Sequence, residues 1–263
     1  MELNFTRVSK ARPCPQCGKP DWCTVGDYGV VCMRVQSARP VKNGGWFHAF
    51  DSARGQAAPP PPRPATQPPA INATAMHREW LACTTAEALV AFAAGLGVSA
   101  ASLAAVGAAW APAHAAWAFP MCDGYGNVIG IRLRNERGKF AVRGSRQGIF
   151  LAAVPAQKTL FVCEGPTDTA AALDLGFFAV GRPNCCCGGL EVRTYARRHE
   201  CARAVIVADN DKPGLDGARK VGGELRMPWA IYVPPAKDLR EFCRLGGSRN
   251  MIENTMKQTV WNV

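Results

Sequence analysis

The second half of the chain alternates short apolar segments with amphipathic ones. Four nearly all-apolar segments occupy residues 159–163, 177–180, 203–208 and 229–233. Residues with helical periodicity separate them, near 166–175, 189–199 and 215–225. Short apolar strands that alternate with helices are typical of a parallel sheet with helices on both faces. The pattern therefore predicts an α/β domain built on a four-stranded parallel sheet.

The preceding region has two different patterns. Residues 73–110 are rich in alanine and helical in period, and a helix is predicted to begin near Thr84 or Thr85, which can cap it. In residues 116–150 apolar positions alternate, and the turn sequences DGYGN and NERGK interrupt them. This alternation predicts a hairpin or small meander, so a β-rich and helical subdomain comes before the parallel sheet.

A run of prolines separates this region from the N-terminus. Residues 58–70 carry prolines at a density that favours an extended polyproline helix, which predicts a semi-rigid tether between folded units. A ligand segment for an SH3 or WW domain is the alternative. The predicted class is an α+β multidomain protein. Its predicted parts are a small N-terminal domain (1–57), a linker (58–71), the β-rich and helical subdomain (72–155), the α/β domain (156–245) and a C-terminal tail (246–263).

Composition and charge narrow the class of protein. Of the 263 residues, 48% are hydrophobic, which is enough to form real cores. No uninterrupted apolar run reaches the roughly 18 residues of a membrane span, and the N-terminus lacks a secretory apolar region. We therefore expect a cytoplasmic protein with no membrane partner. The formal net charge of +11 favours a polyanionic partner.

Four of the 12 cysteines crowd into one short segment near the N-terminus. Cys14 and Cys17 are separated by two residues, and Cys23 and Cys32 follow. A tetrahedral Zn²⁺ site needs four such ligands and can hold together a segment too short to form its own core. The sequence predicts a structural zinc bound by these four thiolates, with His48 as an alternative to Cys23. The spacing C-x2-C-x5-C-x8-C differs from the usual arrangement of two C-x2-C pairs.

The same segment is basic and aromatic. Residues 1–57 contain eight lysines and arginines against four carboxylates, a net charge of +4. Trp22, Tyr28, Trp46 and Phe47 lie among these charges. Basic and aromatic surfaces suit single-stranded DNA, because bases stack on the rings and phosphates pair with the cations. The alternative for each ring is that it belongs to the small core of the module.

Two acidic motifs each follow an apolar segment. FVCEGPTD spans residues 161–168, and VIVADND spans residues 205–211. Ligands of a parallel α/β sheet bind at the carboxyl ends of its strands, so Glu164, Asp209 and Asp211 are predicted to converge there. Carboxylate oxygens are the ligands that Mg²⁺ takes, and sparse protein ligation leaves room for substrate phosphates. The alternative is that these acids cap the helices of an ordinary doubly wound domain.

A basic segment lies within the predicted hairpin or meander. Residues 128–146 carry six cations against the single carboxylate of Glu136: Arg132, Arg134, Arg137, Lys139, Arg143 and Arg146. Such a segment can hold the phosphates of a template or a nucleotide. The alternative is a hairpin whose charges are simply solvated.

The order, strand context and separation of the acidic motifs resemble the Toprim domain, which replicative primases share with topoisomerases and certain nucleases. KDLREF at 237–242 looks like the Lys-Asp-Leu segment that often closes this domain in phage and plasmid primases. A zinc module, a linker, a basic β-rich subdomain and then Toprim resembles the layout of the DnaG-type and phage DNA primase family. No helicase P-loop sequence is present.

This resemblance implies a function in DNA replication. The chain would synthesise short RNA primers on single-stranded DNA from NTPs. Glu164, Asp209 and Asp211 would hold catalytic Mg²⁺ or Mn²⁺, and Asp168 would support the metal from behind these ligands or as an outer ligand. The residues implied to contact nucleic acid or nucleotide are Arg132, Arg134, Lys139, Arg143, Arg146 and Lys237.

The resemblance also implies a setting and two rival functions. The setting is the cytoplasm of a bacterium or a phage-infected cell, with a replicative helicase as a possible partner. One rival is a Toprim nuclease that uses the same metal ions for hydrolysis. The other is a non-catalytic DNA-binding accessory protein of replication.

Overall fold

The structure, a computed structural model, describes residues 5–41, 44–50 and 71–262. The chain forms two compact units, Met1–Gln67 and Pro68–Val263. The proline-rich linker predicted at 58–71 lies almost entirely outside the described residues, and so does the predicted end of the zinc module at residue 57. The five-part division of the chain stays a prediction.

The first unit is a small antiparallel sheet with a core of cysteines and valines. Its strands pair in chain order and are β1 (Thr6–Arg7), β2 (Thr24–Val25), β3 (Gly29–Cys32) and β4 (Trp46–Ala49). Val8, Val25 and Val30 pack against the cysteines, and Val30 is fully buried. A core of this size contributes little burial, so the unit depends on a further cross-link for its stability.

Three helices open the second unit: α1 (Ala73–Ala82), α2 (Ala86–Leu96) and α3 (Ala100–Ala105). Side-chain oxygens cap their N-termini, since Asn72, Thr85 and Ser99 each accept a hydrogen bond from a backbone N–H of the first turn. Gly97 ends α2 in the left-handed conformation, which costs glycine least. The helix predicted near Thr84 or Thr85 is therefore α2.

An antiparallel sheet follows the helices. Its strands, again in chain order, are β5 (Ala109–Ala111), β6 (Ala116–Cys122), β7 (Val128–Asn135) and β8 (Gly138–Ala141). Ile131 and Leu133 of β7 are fully buried on one face. The alternation of a strand therefore places Arg132 and Arg134 on the opposite face. The predicted meander is present, and its alternation decides where its arginines lie.

The remaining elements alternate as predicted. They are β9 (Thr159–Glu164), α4 (Pro166–Asp174), β10 (Ala179–Arg182), α5 (Gly189–Arg198), β11 (Arg203–Val207), α6 (Lys212–Leu225), β12 (Trp229–Tyr232), α7 (Leu239–Arg244) and α8 (Arg249–Lys257). The four strands form a parallel sheet in the order β10-β9-β11-β12. This confirms the predicted fold class. One apolar core lies on each face of the sheet.

Two details differ from the predicted boundaries. The strand predicted at 177–180 is β10, which begins two residues later and spans Ala179–Arg182. It begins later because Gly176 turns the chain at a φ of +77° and Phe177 packs into the apolar core on one face of the sheet. The predicted tail contains α8, whose Ile252 is fully buried, and Asn262 forms a bridge with Trp229. The chain beyond residue 246 is thus part of the folded domain.

In the described part of the chain, no single helix has the length and apolar character needed to cross a membrane. Helices α1 and α2 have this length and apolar character only when they are counted together, and the chain bends by 101° between them.

Asp174 joins the helical subdomain to the parallel domain. Its carboxylate, at the end of α4, accepts hydrogen bonds from Ser99 N at 2.8 Å, Ser99 Oγ at 2.5 Å and Ser102 Oγ at 2.6 Å. Ser99 is the N-cap of α3, so the carboxylate also stands at the positive end of that helix. These hydrogen bonds add to the apolar packing of Leu103 with Ala170 and Leu173, which also joins α3 to α4.

Replacing this carboxylate should destabilise the second unit. We expect Asp174→Ala to lower the free energy of unfolding by about 1–2 kcal/mol, because several charge-assisted hydrogen bonds are lost at a partly solvated position. Urea denaturation followed by circular dichroism measures the change. Asp216→Ala, which removes an exposed carboxylate paired with Arg219 in α6, is the control and should change stability by less than about 0.5 kcal/mol.

Candidate functional site

The four N-terminal cysteines converge in the first unit. The Sγ atoms of Cys14, Cys17, Cys23 and Cys32 all lie within 4.8 Å of one another, and none of the four forms a disulfide. Cys14, Cys23 and Cys32 are buried, with 0–1% of each residue exposed. Gly18 follows the first pair at a φ of +67°, which turns the chain back so that the carbonyl of Lys19 accepts from Cys14 N at 2.9 Å.

The surroundings of these sulfurs suit thiolates. Met33 N donates to Cys23 Sγ at 3.4 Å, and Val35 N donates to Cys32 Sγ at 3.2 Å. Arg34 Nη1 lies 3.9 Å from Cys17 Sγ. Without a cation, burial raises the pKa of the Cys14 thiol to about 12. Four soft ligands within tetrahedral reach fit a structural Zn²⁺, whose charge would overcome that cost of ionisation.

The structure separates the two alternatives for the remaining ligand. Cys23 belongs to the sulfur cluster, whereas His48 Nε2 forms a hydrogen bond with the carbonyl of Val35 at 3.1 Å. His48 therefore has a structural partner of its own.

The aromatic residues of the first unit divide into exposed and partly buried rings. Trp22 and Tyr28 are 74% and 64% exposed, whereas Phe47 is half-buried beside Phe5.

The predicted catalytic acids lie at the carboxyl edge of the parallel sheet. Glu164 is the last residue of β9, and Asp209 and Asp211 follow β11, which is the neighbour of β9. The backbone turns between the aspartates, because Asp211 N donates to the carbonyl of Asp209 at 2.7 Å. Asp211 also caps α6 by accepting from Gly214 N at 2.7 Å. One oxygen of that carboxylate therefore has a structural role.

Glu164 lies beside a buried arginine. Its Oε2 is buried without a hydrogen-bond partner, and Arg182 Nη2 lies 4.0 Å from that oxygen. The side chain of Arg182 is fully buried and donates to the carbonyls of Cys185 and Val207. Its guanidinium is thus fixed by the backbone, and it faces Glu164 without bonding to it.

Asp168 and Asp238 form a second acidic pair behind this edge. Asp168 lies in the first turn of α4, and its Oδ1 accepts from Arg240 N at 3.2 Å. Asp238 caps α7 by accepting from Glu241 N at 2.7 Å, and its Oδ2 lies 3.6 Å from Arg240 Nη2. Asp168 therefore supports the start of α7 instead of projecting into open solvent.

Burial and mutual repulsion act together on these carboxylates. Burial, followed by the charge of Asp209, raises the pKa of Glu164. Burial, followed by the charge of Asp238, raises the pKa of Asp209, and the same two causes raise the pKa of Asp168 to about 7. A site whose acids resist ionisation in the metal-free protein is one that a bound cation would stabilise.

The donor set fits a hard divalent cation. Among the described residues, only the cysteines bring three or more ligand atoms within 4.8 Å of one another, so the three carboxylates are less closely gathered than the four sulfurs. Glu164 Oε2 offers an oxygen with no competing hydrogen bond. A Cβ at Gly165 would meet no atom within 4 Å, so space remains open beside Glu164. Few protein oxygens and room for waters or phosphates are what Mg²⁺ usually takes.

The basic residues predicted to contact nucleotide divide into two sets. Arg132 Nη2 donates to the carbonyl of Pro183, just after β10, at 3.3 Å. Arg134 Nη1 donates to Thr167 Oγ1, in the first turn of α4, at 3.4 Å, so both arginines reach the acidic edge. Lys139 pairs across the sheet with Arg134, and its charge partly offsets the raised pKa of Glu164.

Lys237 also belongs to this edge, since its carbonyl accepts from Asn210 N at 2.9 Å. Arg143 and Arg146 are exposed in the segment after β8, and no contact among the described residues joins them to the acids. The structure therefore brings Arg132, Arg134, Lys139 and Lys237 to the edge but not the last two arginines.

Sequence reasoning assigned no role to Arg182, Asp238 or Arg240. Asp238 lies in the KDLREF segment that the sequence singled out, six residues after the end of β12, so that segment is the signal that could have identified it. Arg182 ends β10 within an otherwise apolar segment, which is a weaker signal. The role of Arg240 has no signal in the sequence, because its contacts arise only when α7 packs on α4.

Solved primase structures share this fold. The zinc-binding and RNA polymerase domains of the Aquifex aeolicus primase match with a TM-score of 0.58 at 13% identity, covering 72% of this chain and 60% of that chain. The DnaG primase catalytic domain bound to single-stranded DNA matches with a TM-score of 0.56 at 15% identity, covering 72% and 80%.

The primase fragment of the bacteriophage T7 primase-helicase protein matches with a TM-score of 0.51 at 17% identity. That match covers 95% of this chain and 99% of that one. No protein-family model matches the sequence, and no curated protein matches it. The predicted resemblance to zinc-ribbon and Toprim primases is thus confirmed for the fold.

The zinc assignment has a direct test. We expect the wild-type chain to contain about one zinc per chain and Cys23→Ser to lose it, because three thiolates do not close a structural site. His48→Ala is the matched control and should retain zinc, since His48 binds the carbonyl of Val35 instead of the cluster. Inductively coupled plasma mass spectrometry of the purified proteins measures both. Zinc lost from His48→Ala and kept by Cys23→Ser would reverse the assignment.

The acidic edge predicts how stability depends on pH without metal. The native pKa of Asp168, about 7, lies above the unfolded value of roughly 3.9, so the native state binds more protons between these values. The stability from this group is therefore present at low pH and lost as the pH rises towards 7. In EDTA, the melting temperature of Asp168→Asn should fall less than that of the wild type between pH 5.5 and 8. Asp216→Asn should follow the wild type.

Proposed function

We propose that this chain is a DNA primase that synthesises short RNA primers on single-stranded DNA from NTPs. The observation that carries the proposal is the carboxyl edge of the parallel sheet. There Glu164, with its unpartnered buried oxygen, neighbours Asp209 and Asp211 on a fold shared with solved primases. One of the matched structures is of a DnaG catalytic domain bound to single-stranded DNA.

Each group at the edge has a role in this proposal. Glu164, Asp209 and Asp211 would hold Mg²⁺ or Mn²⁺, which when bound stabilises negative charge on a reacting phosphate. Arg134 and Lys139, which pair across the antiparallel sheet, would orient the triphosphate of the incoming nucleotide.

Arg182 and Asp168 would act through their neighbours. The buried guanidinium of Arg182 lies 4.0 Å from Glu164 and would keep that carboxylate ionised and in place. Asp168 would hold the start of α7, and with it the segment that carries Lys237 and Asp238. Both are positioning residues.

The first unit would contact the template. Its exposed Trp22 lies under the guanidinium of Arg34, with the guanidinium carbon 5.5 Å from the ring centroid, and Tyr28 is 64% exposed. Exposed rings among cations suit unpaired bases and their phosphates. Zinc would fix the loops that carry these residues. Only the resemblance of the sequence to primases supports a replicative helicase as a partner.

The test compares conservative variants at the edge. We expect Glu164→Gln and Asp209→Asn to reduce primer synthesis by about 100-fold or more, because electrostatic stabilisation of the reacting phosphates is lost. In EDTA their melting temperatures should hold or rise, since each substitution relieves repulsion. Purified protein, single-stranded DNA, labelled NTPs and Mg²⁺ or Mn²⁺, with products separated by size, measure synthesis. Asp216→Asn is the control and should remain active.

The same assay separates the rival functions. Cleavage of the DNA without synthesis would replace the proposal with a Toprim nuclease. Binding of DNA by the wild type without either activity would replace it with an accessory protein. Wild-type rates from the two edge variants would move the active site away from this edge.

A further inference from the structure

A groove lined by four arginines lies at the opposite end of the parallel sheet. It has a volume of about 830 Å³ and is lined by the ends of α5 and α6, by Cys201 and Met227 before β11 and β12, and by Tyr125. Strands of this length span about 17 Å, so the groove is separated from the acidic edge by the depth of the sheet. Its arginines are Arg193, Arg197, Arg198 and Arg226.

These arginines have no carboxylate partner in the described part of the chain. The lining contains one carboxylate, Glu200, whose side chain lies 3.7 Å from Lys158 Nζ. Arg197, Arg198 and Arg226 are exposed. Four guanidinium groups against one carboxylate leave a strong positive potential in a concave surface, where the field is concentrated.

The groove is held in shape by backbone contacts. Arg198 Nη1 donates to the carbonyl of Tyr125 at 2.6 Å, and Arg193 Nη1 donates to the carbonyl of Glu224 at 3.4 Å. Asp123 accepts from the backbone N–H groups of Tyr125 and Asn127 at 2.9 and 3.0 Å, which fixes the turn. Ordered arginines lose less conformational entropy when they bind a ligand.

An exposed aromatic ring stands at one side of the groove. Tyr125 is 66% exposed, and the guanidinium carbon of Arg198 lies 5.4 Å from its ring centroid. Its turn is packed on α5, because a Cβ at Gly124 would overlap Thr194. A fixed ring beside guanidinium groups can stack an unpaired base while the arginines bind phosphates through paired N–H groups.

We propose that this groove binds single-stranded DNA at a second site, remote from the catalytic edge. Charge complementarity favours a phosphate backbone, since planar guanidinium groups match phosphate oxygens in pairs. The β6–β7 hairpin connects the two regions, because its turn carries Tyr125 and β7 carries Arg132 and Arg134 to the acidic edge. An acidic peptide is the competing occupant, and the experiment below distinguishes it.

The experiment measures binding of fluorescein-labelled (dT)16 to the full chain by anisotropy, without nucleotides, at several NaCl concentrations. The test variant is Arg197→Gln with Arg226→Asn, because Arg226 has a φ of +54° and asparagine tolerates that conformation. The slope of log K against log salt is negative, and the loss of two phosphate contacts should reduce its magnitude by about 1.4, at about 0.7 for each contact.

The control variant removes the same charge elsewhere. Arg78→Gln with Arg219→Gln replaces two exposed arginines on α1 and α6 outside the groove and should keep the wild-type slope. Tyr125→Ala should weaken binding severalfold with the slope unchanged, since stacking carries no charge. Equal melting temperatures of all variants would show that they are folded.

Three results would overturn the inference. The first is a wild-type salt slope in the Arg197/Arg226 variant, and the second is an equal reduction of the slope in the control variant. The third is displacement of (dT)16 by a hexaglutamate peptide added at the same total concentration of negative charge. Primer synthesis is scored separately. A chain that makes no primers but loses DNA affinity in the groove variant would refute the proposed function and keep this site.

Discussion

The parallel pairing of β9 with β11 is the constraint on which the candidate catalytic edge depends. Parallel strands end at the same edge, so Glu164 and the aspartates after β11 are brought together by the sheet and not by attraction between them. Their charges repel, and burial adds to the cost of ionisation. The apolar cores on both faces of the sheet have to offset that cost.

Cations placed by the backbone reduce the same repulsion. Arg182 is fixed by two carbonyls beside Glu164, and Lys139 reaches the edge from the antiparallel sheet. Asp174, which accepts hydrogen bonds from Ser99 at the N-terminus of α3, helps to hold the helical subdomain on the parallel domain. The apolar cluster that includes Leu103, Phe119 and Ala170 also joins the two, so the position of the basic strands depends on packing as well as on this carboxylate.

The first unit follows a different physical rule. Its core is too small to depend on apolar burial alone, and its four sulfurs occupy the position that a larger domain would fill with side chains. This leaves large aromatic residues free for the surface, where Trp22 and Tyr28 lie. A metal-held unit can thus expose rings that a metal-free module would need for its core.

Local patterns determined the elements of this protein and the edge of the sheet where its acids meet. Apolar periodicity identifies the four parallel strands, and strand-end position identifies Glu164 and Asp209, because both signals act over a few residues. Only the tertiary structure decided that Cys23, and not His48, belongs to the sulfur cluster. It also decided that Arg182 is buried beside Glu164 and that Arg134, but not Arg143, reaches the acidic edge. It also gathered the arginines of α5 and α6 into one groove. These outcomes depend on how distant segments pack, and no short-range pattern in a single sequence records that packing.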